Sequence, residues 1–377
     1  MSDIPLFEIP WDENDISNVV ESVSRGSYWA KGPYVDEFES KLAEYFDVEH
    51  ALVVNSGTTA LECLLRAYDI GEGDEVLVPS FTFIATANVV ELLGAEPVFV
   101  DIERETLGMD PKDARKKLTD DTAMILPIHC YGSACLVEDL TDLANEAGVP
   151  LVEDAAEAFG AIAGGQKVGT FGDAAALSFC QNKILPTGEG GAILTEDDTI
   201  ARRVAQYRSH GREPNSNYFQ SADSGQYTTT GSNYRMPDVV AALGCSQFEK
   251  VGELVDSRRE VAETYNNSLG ELDGVVPVRG RNSGSNQHVF QLYSVLFDNE
   301  SVRTSVVDEL ERRGIACKIY WDPPVHQTEV YKNGEHPALP TTEDVSSRVL
   351  SLPMYAGLPE RQILRVVDGV EAAVKTA

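Results

Sequence analysis

The stretch ALSFCQNKILPTGEGGAILTED, residues 176–197, sets one lysine, Lys183, between a short apolar run and a cluster of glycines. Lysine beside glycines invites a phosphate-loop reading, but such a loop runs glycines, lysine, Ser/Thr and then a helix. Here Lys183 precedes the glycines, and they lead into GAILTE (191–196), an apolar run of strand character. A dinucleotide fingerprint fails as well, because the sixth place counted from Gly188 is Ile193. The stretch therefore reads as strand, lysine-bearing turn, strand.

Outward from it, the same rhythm recurs. Apolar runs ALVVN (51–55), EVLVPS (75–80), EPVFVDI (96–102), AMILPIH (123–129), PLVEDA (150–155) and AALSF (175–179) precede GAILTE. Amphipathic segments separate several of them. Leu61, Leu64, Leu65 and Tyr68 recur at helical spacing. Strands alternating with helices predict an α/β fold with a mostly parallel sheet covered by helices on both faces. After about residue 250 the pattern changes to a long charged helix (about 248–270), strands at 288–297 and 315–321, and helices at 301–313, 342–350 and 358–375. The expectation is a large domain over 1–250 and a smaller C-terminal α+β domain over 251–377. The polar segment REPNSNYFQSADSGQYTTTGSN (212–233) interrupts the rhythm and reads as an excursion or hairpin.

Composition narrows the function classes. The chain has 377 residues, with 61 acidic against 30 basic ones and a net charge of −31. That field opposes nucleic acid and anionic membranes. The acid is spread along the chain, and lysine is scarcer than arginine, which suits a protein working at high salt. Six scattered cysteines form no CxxC pair, so neither disulfides nor a zinc site is expected, and a reducing cytoplasm is the expected setting. The segment MSDIPLFEIPWDENDIS (1–17) lacks the basic region of a signal peptide, and no apolar run has the length of a membrane span.

Chemistry concentrates at strand ends. NSGTTALECLLRAY (55–68) brings Ser56, Gly57 and Thr58 to a helix start, which offers backbone N–H groups, hydroxyls and the positive end of a helix dipole to an anion. LVEDAAEAFGA (151–161) places Glu153 and Asp154 at the end of an apolar strand, the edge where open α/β sheets bind ligands. Lys183 and Ser178 should reach that edge too. A lone lysine is by default a solvated charge, and a lone helix start is by default only capped. An anion site, an acid and a lysine at one sheet edge together match pyridoxal 5'-phosphate: a helix N-terminus for the phosphate, a carboxylate for the ring nitrogen, an amine for the aldehyde. Phe81 and Phe83, in VPSFTFIATAN (78–88), lie near the same edge, where either could stack on a flat ring or pack in the core. No short ligand spacing supports a metal.

These motifs resemble the DegT/DnrJ family of sugar aminotransferases, within fold-type I pyridoxal phosphate enzymes. The resemblance runs from GSYWAKGPYVDEFE (26–39) to SLPMYAGL (351–358) through NSGTTAL, GDEVLVPSFTFIATAN, VEDAAEAFGA, GTFGDAAALSFCQNK, GEGGAILTED, SHG (209–211) and NYRMPD (233–238). It implies that Lys183 bonds the cofactor aldehyde as an internal aldimine and that Asp154 keeps the ring nitrogen protonated. It implies that Gly57, Thr58 and Ser178, beside Ser56, bind the phosphate, and that Phe83 stacks on the ring. It implies a homodimer with shared active sites, Asn233 reaching the neighbour's phosphate and the 212–233 excursion approaching the neighbour's site. It implies L-glutamate as amino donor and a nucleotide-linked keto sugar as acceptor. Two positions depart from family habit. Cys180 stands where histidine is frequent, and Glu157 stands where Gln or His meets the cofactor hydroxyl. Glutamate at 157 is similar to members that aminate carbon 4, such as perosamine-type synthases. Lysine at 183 favours transamination over the dehydratase branch. Another fold-type I lyase, or a non-catalytic regulator, is the competing reading.

Overall fold

A computed structural model describes residues 3–214, 225–334 and 336–376. Two helices, α1 (Glu13–Ser24) and α2 (Pro33–Phe46), precede the sheet. Then come β1 (His50–Val54), α3 (Gly57–Ala67), β2 (Glu75–Pro79), α4 (Ala85–Glu91), β3 (Glu96–Val100), α5 (Pro111–Lys117), β4 (Thr122–Ile125), α6 (Val137–Ala147) and β5 (Val152–Asp154). A two-residue hairpin, β6 (Ile162–Ala163) with β7 (Gln166–Lys167), leads to β8 (Ala174–Ser178), β9 (Gly191–Thr195), α7 (Asp198–Tyr207) and α8 (Asp238–Phe248). All seven strands expected between residues 51 and 196 form.

Strand order is β3-β2-β4 and β5-β8-β9-β1. Parallel bridges Ile125–Leu151 and Ile128–Asp154 join the two sets into one surface. β9 runs antiparallel to both its neighbours, while the other pairings are parallel. The carboxyl ends of β1, β2, β4, β5 and β8 therefore face one edge. The strands are buried on both faces, which is why they read as continuous Val/Leu/Ala runs. Phe38, Leu42, Leu140 and Phe179 fill one side of the sheet; Leu61, Leu64, Leu65, Val76 and Val90 fill the other.

A second unit starts at α9 (Val251–Leu269) and continues through β10 (Val275–Pro277), β11 (Tyr293–Phe297), α10 (Glu300–Arg312), α11 (Pro340–Arg348), β12 (Val349–Leu352) and α12 (Glu360–Val374). Its antiparallel sheet β10-β11-β12 carries its own core around Tyr265, Tyr293, Phe297, Leu310 and Leu352. Three expectations shift here. The strand expected at 288–297 is regular only from Tyr293, because Phe290 sits at φ 48°. Residues 315–321 pair only singly, Ile315 with Ile4 and Lys318 with Ser351. The helix expected to 350 ends at Arg348, because Val349–Leu352 pairs with β11. In the polar excursion, the flanks pair as Ser209–Asn233 and Arg212–Tyr227; residues 215–224 lie outside the described residues. No described helix is long and apolar enough to cross a membrane.

Candidate active site

The glycines after Lys183 have a packing reason. Gly191 opens β9 between Val54 of β1 and Ser178 of β8. A Cβ on it would stand 2.5 Å from the Ser56 carbonyl oxygen and 2.8 Å from the Gly57 nitrogen. Only glycine lets the start of α3 pass so close over the sheet. Gly57 is equally constrained, since its Cβ would meet Ser178 Cβ at 2.8 Å. Gly188 turns the chain at φ +88°.

That approach builds a cradle. Ser56 is the N-cap of α3, and its hydroxyl accepts the Thr59 N–H at 3.1 Å in a reciprocal capping box. Its side chain is thus committed within the helix. The N–H groups of Gly57 and Thr58 have no protein partner among the described residues, and Gly57 lies close against Ser178 at the positive end of the helix dipole. An anion of phosphate size suits this donor set.

Asp154 ends β5 and is 3% exposed. Its Oδ2 accepts the Thr86 hydroxyl at 2.9 Å and its Oδ1 the Ala156 N–H at 3.2 Å. Burial pushes its pKa above the ordinary carboxylate value, against those donors and the nearby Lys183 charge. A buried carboxylate held only by neutral donors suits a cationic partner such as a ring N–H⁺. The adjacent Glu153 points elsewhere. It accepts the N–H groups of Gly169, Phe171 and Gly172 and faces His129 Nε2 at 2.9 Å. Since His129 Nδ1 accepts the Cys135 N–H, the ring presents its Nε2–H to Glu153. Of the two acids at this strand end, one is scaffold and one is free for a ligand.

Lys183 lies in the β8–β9 turn, its side chain 14% exposed. Its Nζ donates to Glu157 Oε1 at 3.2 Å, and Glu157 Oε2 accepts the Tyr131 N–H at 3.0 Å. Gln291, from the second unit, donates through Nε2 to the Asn182 carbonyl at 2.5 Å, tethering the lysine turn. Phe81 is fully buried against Tyr131 and Trp321, whereas Phe83 is 58% exposed. Cys180 is half-buried, and its Sγ donates weakly to Glu189 Oε1 at 3.9 Å. Asn233 is exposed in the segment beside Ser209, away from Lys183's contacts. Thr86, Tyr131 and Gln291 carried no local sequence signal; their roles arise from contacts with residues 68, 26 and 109 positions away. No cluster of metal-ligating side chains occurs among the described residues.

A glycine-lined anion cradle, a buried acid and a half-buried lysine at one sheet edge define a pyridoxal 5'-phosphate-dependent aminotransferase of fold type I. Residues 10–371 match the DegT/DnrJ/EryC1/StrS aminotransferase family, and the chain belongs to it. The chain is 36% identical over 376 residues to the GDP-perosamine synthase of Caulobacter vibrioides, covering 98% of this chain and 99% of that one. It is 33% identical to the GDP-perosamine synthase of Vibrio cholerae, covering 98% of each. Among solved structures, it is similar to the aminotransferase TlmJ of Streptoalloteichus hindustanus, with a TM-score of 0.91, 30% identity and 99% of both chains covered.

Proposed function

We propose that this enzyme moves an amino group from L-glutamate to a nucleotide-linked 4-keto-6-deoxy hexose, for amino-sugar and surface polysaccharide synthesis. The observation that carries the proposal is the Lys183–Glu157–Asp154 arrangement beside the α3 cradle. Similarity to two GDP-perosamine synthases along almost the whole chain favours a GDP sugar and carbon 4.

Pyridoxal phosphate, once bound, supplies an aldehyde and a ring that withdraws electrons from the carbon losing a proton. Lys183 would hold it covalently and, when released, would move a proton at the α-carbon of the donor. Asp154 would hold the proton on the ring nitrogen. The N–H groups of Gly57 and Thr58 and the hydroxyl of Ser178 would hold the phosphate, with Ser56 fixing the helix start. Phe83 would cover a ring face, and Glu157 would stand beside the reacting nitrogen.

An anionic substrate needs local positive potential on so acidic a protein. A cavity of about 610 Å³ lies apart from Lys183, across β1, and Lys31, Arg208, Arg212 and Arg235 line it. Arg208 pairs with Glu39 at 2.5 Å, while Arg235 Nε is buried without a partner among the described residues. Arg235 follows Asn233 by two residues. In a homodimer with shared sites, with Asn233 reaching the neighbour's phosphate, this cationic cavity would serve the neighbour's site. An apolar stripe on α1 (Ile16, Val20 and Val23, with Trp11 and Trp29 near it) supports such pairing, as does an exposure of 70% at Trp11. Sedimentation of the purified chain decides that point: a monomer at micromolar concentration contradicts it. The acid surface supports a cytoplasm of high salt.

The function is tested by incubating the loaded protein with L-glutamate and a GDP-linked 4-keto-6-deoxy hexose and weighing the sugar product. An amino sugar supports the proposal. Conversion of only a 3-keto substrate, or of none, contradicts it.

A further inference from the structure

Among the described residues, Lys183 Nζ has one hydrogen-bond partner, the Glu157 carboxylate at 3.2 Å. The pair is 14% and 10% exposed at its side chains. Glu157 is not free to wander, because its other oxygen accepts the Tyr131 N–H at 3.0 Å, and Tyr131 is itself set by a left-handed backbone at φ 58°. The carboxylate is thus aimed at the nitrogen that reacts.

An amine bonding to an aldehyde starts as an ammonium and ends as a C=N bond, releasing one water and one proton. That proton needs an acceptor within reach. The titratable groups facing Glu157 from the surrounding elements do not provide another. Asp154 accepts from Thr86 and Ala156 and is the acid assigned above to the ring nitrogen, not to Lys183. The Cys130 thiol and the phenols of Tyr131 and Tyr320 are driven toward their neutral forms by burial, with the Glu157 charge adding to it. Cys180 contacts Glu189.

We infer that Glu157 is the acid–base partner of Lys183. Its Oε1 takes the proton that leaves the ammonium as the amine attacks the aldehyde, becoming a carboxylic acid. It returns that proton to the imine nitrogen before the incoming amino donor attacks, so that Lys183 is displaced as the neutral amine the α-carbon step requires. The transfer stays inside a poorly hydrated pair and needs no ordered water chain. A glutamine here could hold the lysine in place but could not accept a proton. The inference rests on the assignment of Lys183 above.

The test uses the full chain, stripped of cofactor and mixed with pyridoxal 5'-phosphate, with bond formation followed by visible absorbance across pH. Glu157→Gln should form the bond on the order of a hundredfold more slowly at neutral pH, with the deficit shrinking as pH rises. Glu157→Ala should be accelerated by added formate, to which the wild type and Glu157→Gln do not respond. Binding of pyridoxamine 5'-phosphate, which makes no bond to lysine, should weaken far less in both variants than bond formation slows, and so reports whether the site is intact. Wild-type rates in Glu157→Gln at every pH, with no formate effect in Glu157→Ala, would overturn the inference. Absence of the visible band in the wild type would overturn the Lys183 assignment instead.

Discussion

Asp154 shows how the residue proposed to meet the ring nitrogen also opposes stability. Burial raises its pKa, and only two neutral donors contact it. A carboxyl whose folded pKa lies above its unfolded one favours the fold fully below the ordinary carboxylate range. That contribution is lost as pH rises through the elevated value. Cofactor-free Asp154→Asn should therefore melt higher than the wild type at pH 7, and the gap should close toward pH 4; calorimetry at the two values checks this. The same change should lower kcat about 10²–10³-fold, because the ring nitrogen loses its counter-charge. An equal gap at both pH values would show that burial of the charge is not the cause. The roles proposed for Asp154 and Lys183 could be reasoned from strand-end position, but the contacts of Thr86 and Tyr131 could not. A threonine within a helix and a tyrosine in a short turn acquire meaning only when the sheet brings them to the acid and to Glu157.

At the scale of elements, the carboxyl ends of β1, β5 and β8 and the start of α3 meet at the proposed site. The seven strands were legible mainly because strands such as β2, β8 and β9 are buried on both faces and read as apolar runs. The three-residue β10 and β12, which follows α11 without a break, were not: the first is too short for periodicity, and the second is decided by pairing with β11. The cradle itself depends on close backbone approach. Gly57→Ala would put a methyl 2.8 Å from Ser178 Cβ, so either α3 or β8 must shift. That should weaken pyridoxal and pyridoxamine phosphates alike, by about tenfold, or about 1.4 kcal/mol. Lys183→Ala should weaken only the pyridoxal form. Calorimetric titration with both compounds separates the two; loss confined to the pyridoxal form in Gly57→Ala would remove the cradle from the phosphate end.

For the whole molecule, a net charge of −31 is the dominant fact beyond the fold. The screening length falls from about 10 Å at 0.1 M salt to about 3 Å at 1 M. Self-repulsion across the surface then fades, while the buried core and the Lys183–Glu157 pair change little. The thermal midpoint should rise steadily as KCl is added to the molar range; a flat or falling midpoint would contradict adaptation to salt. The central claim, that Lys183 and its surroundings run an amino transfer, is tested most directly by the donor half-reaction of the loaded full chain. L-Glutamate alone should bleach the visible band of the pyridoxal form and release one 2-oxoglutarate per site, and Lys183→Ala should do neither. A band that survives glutamate and every other amino donor, with no keto acid released, would contradict the account.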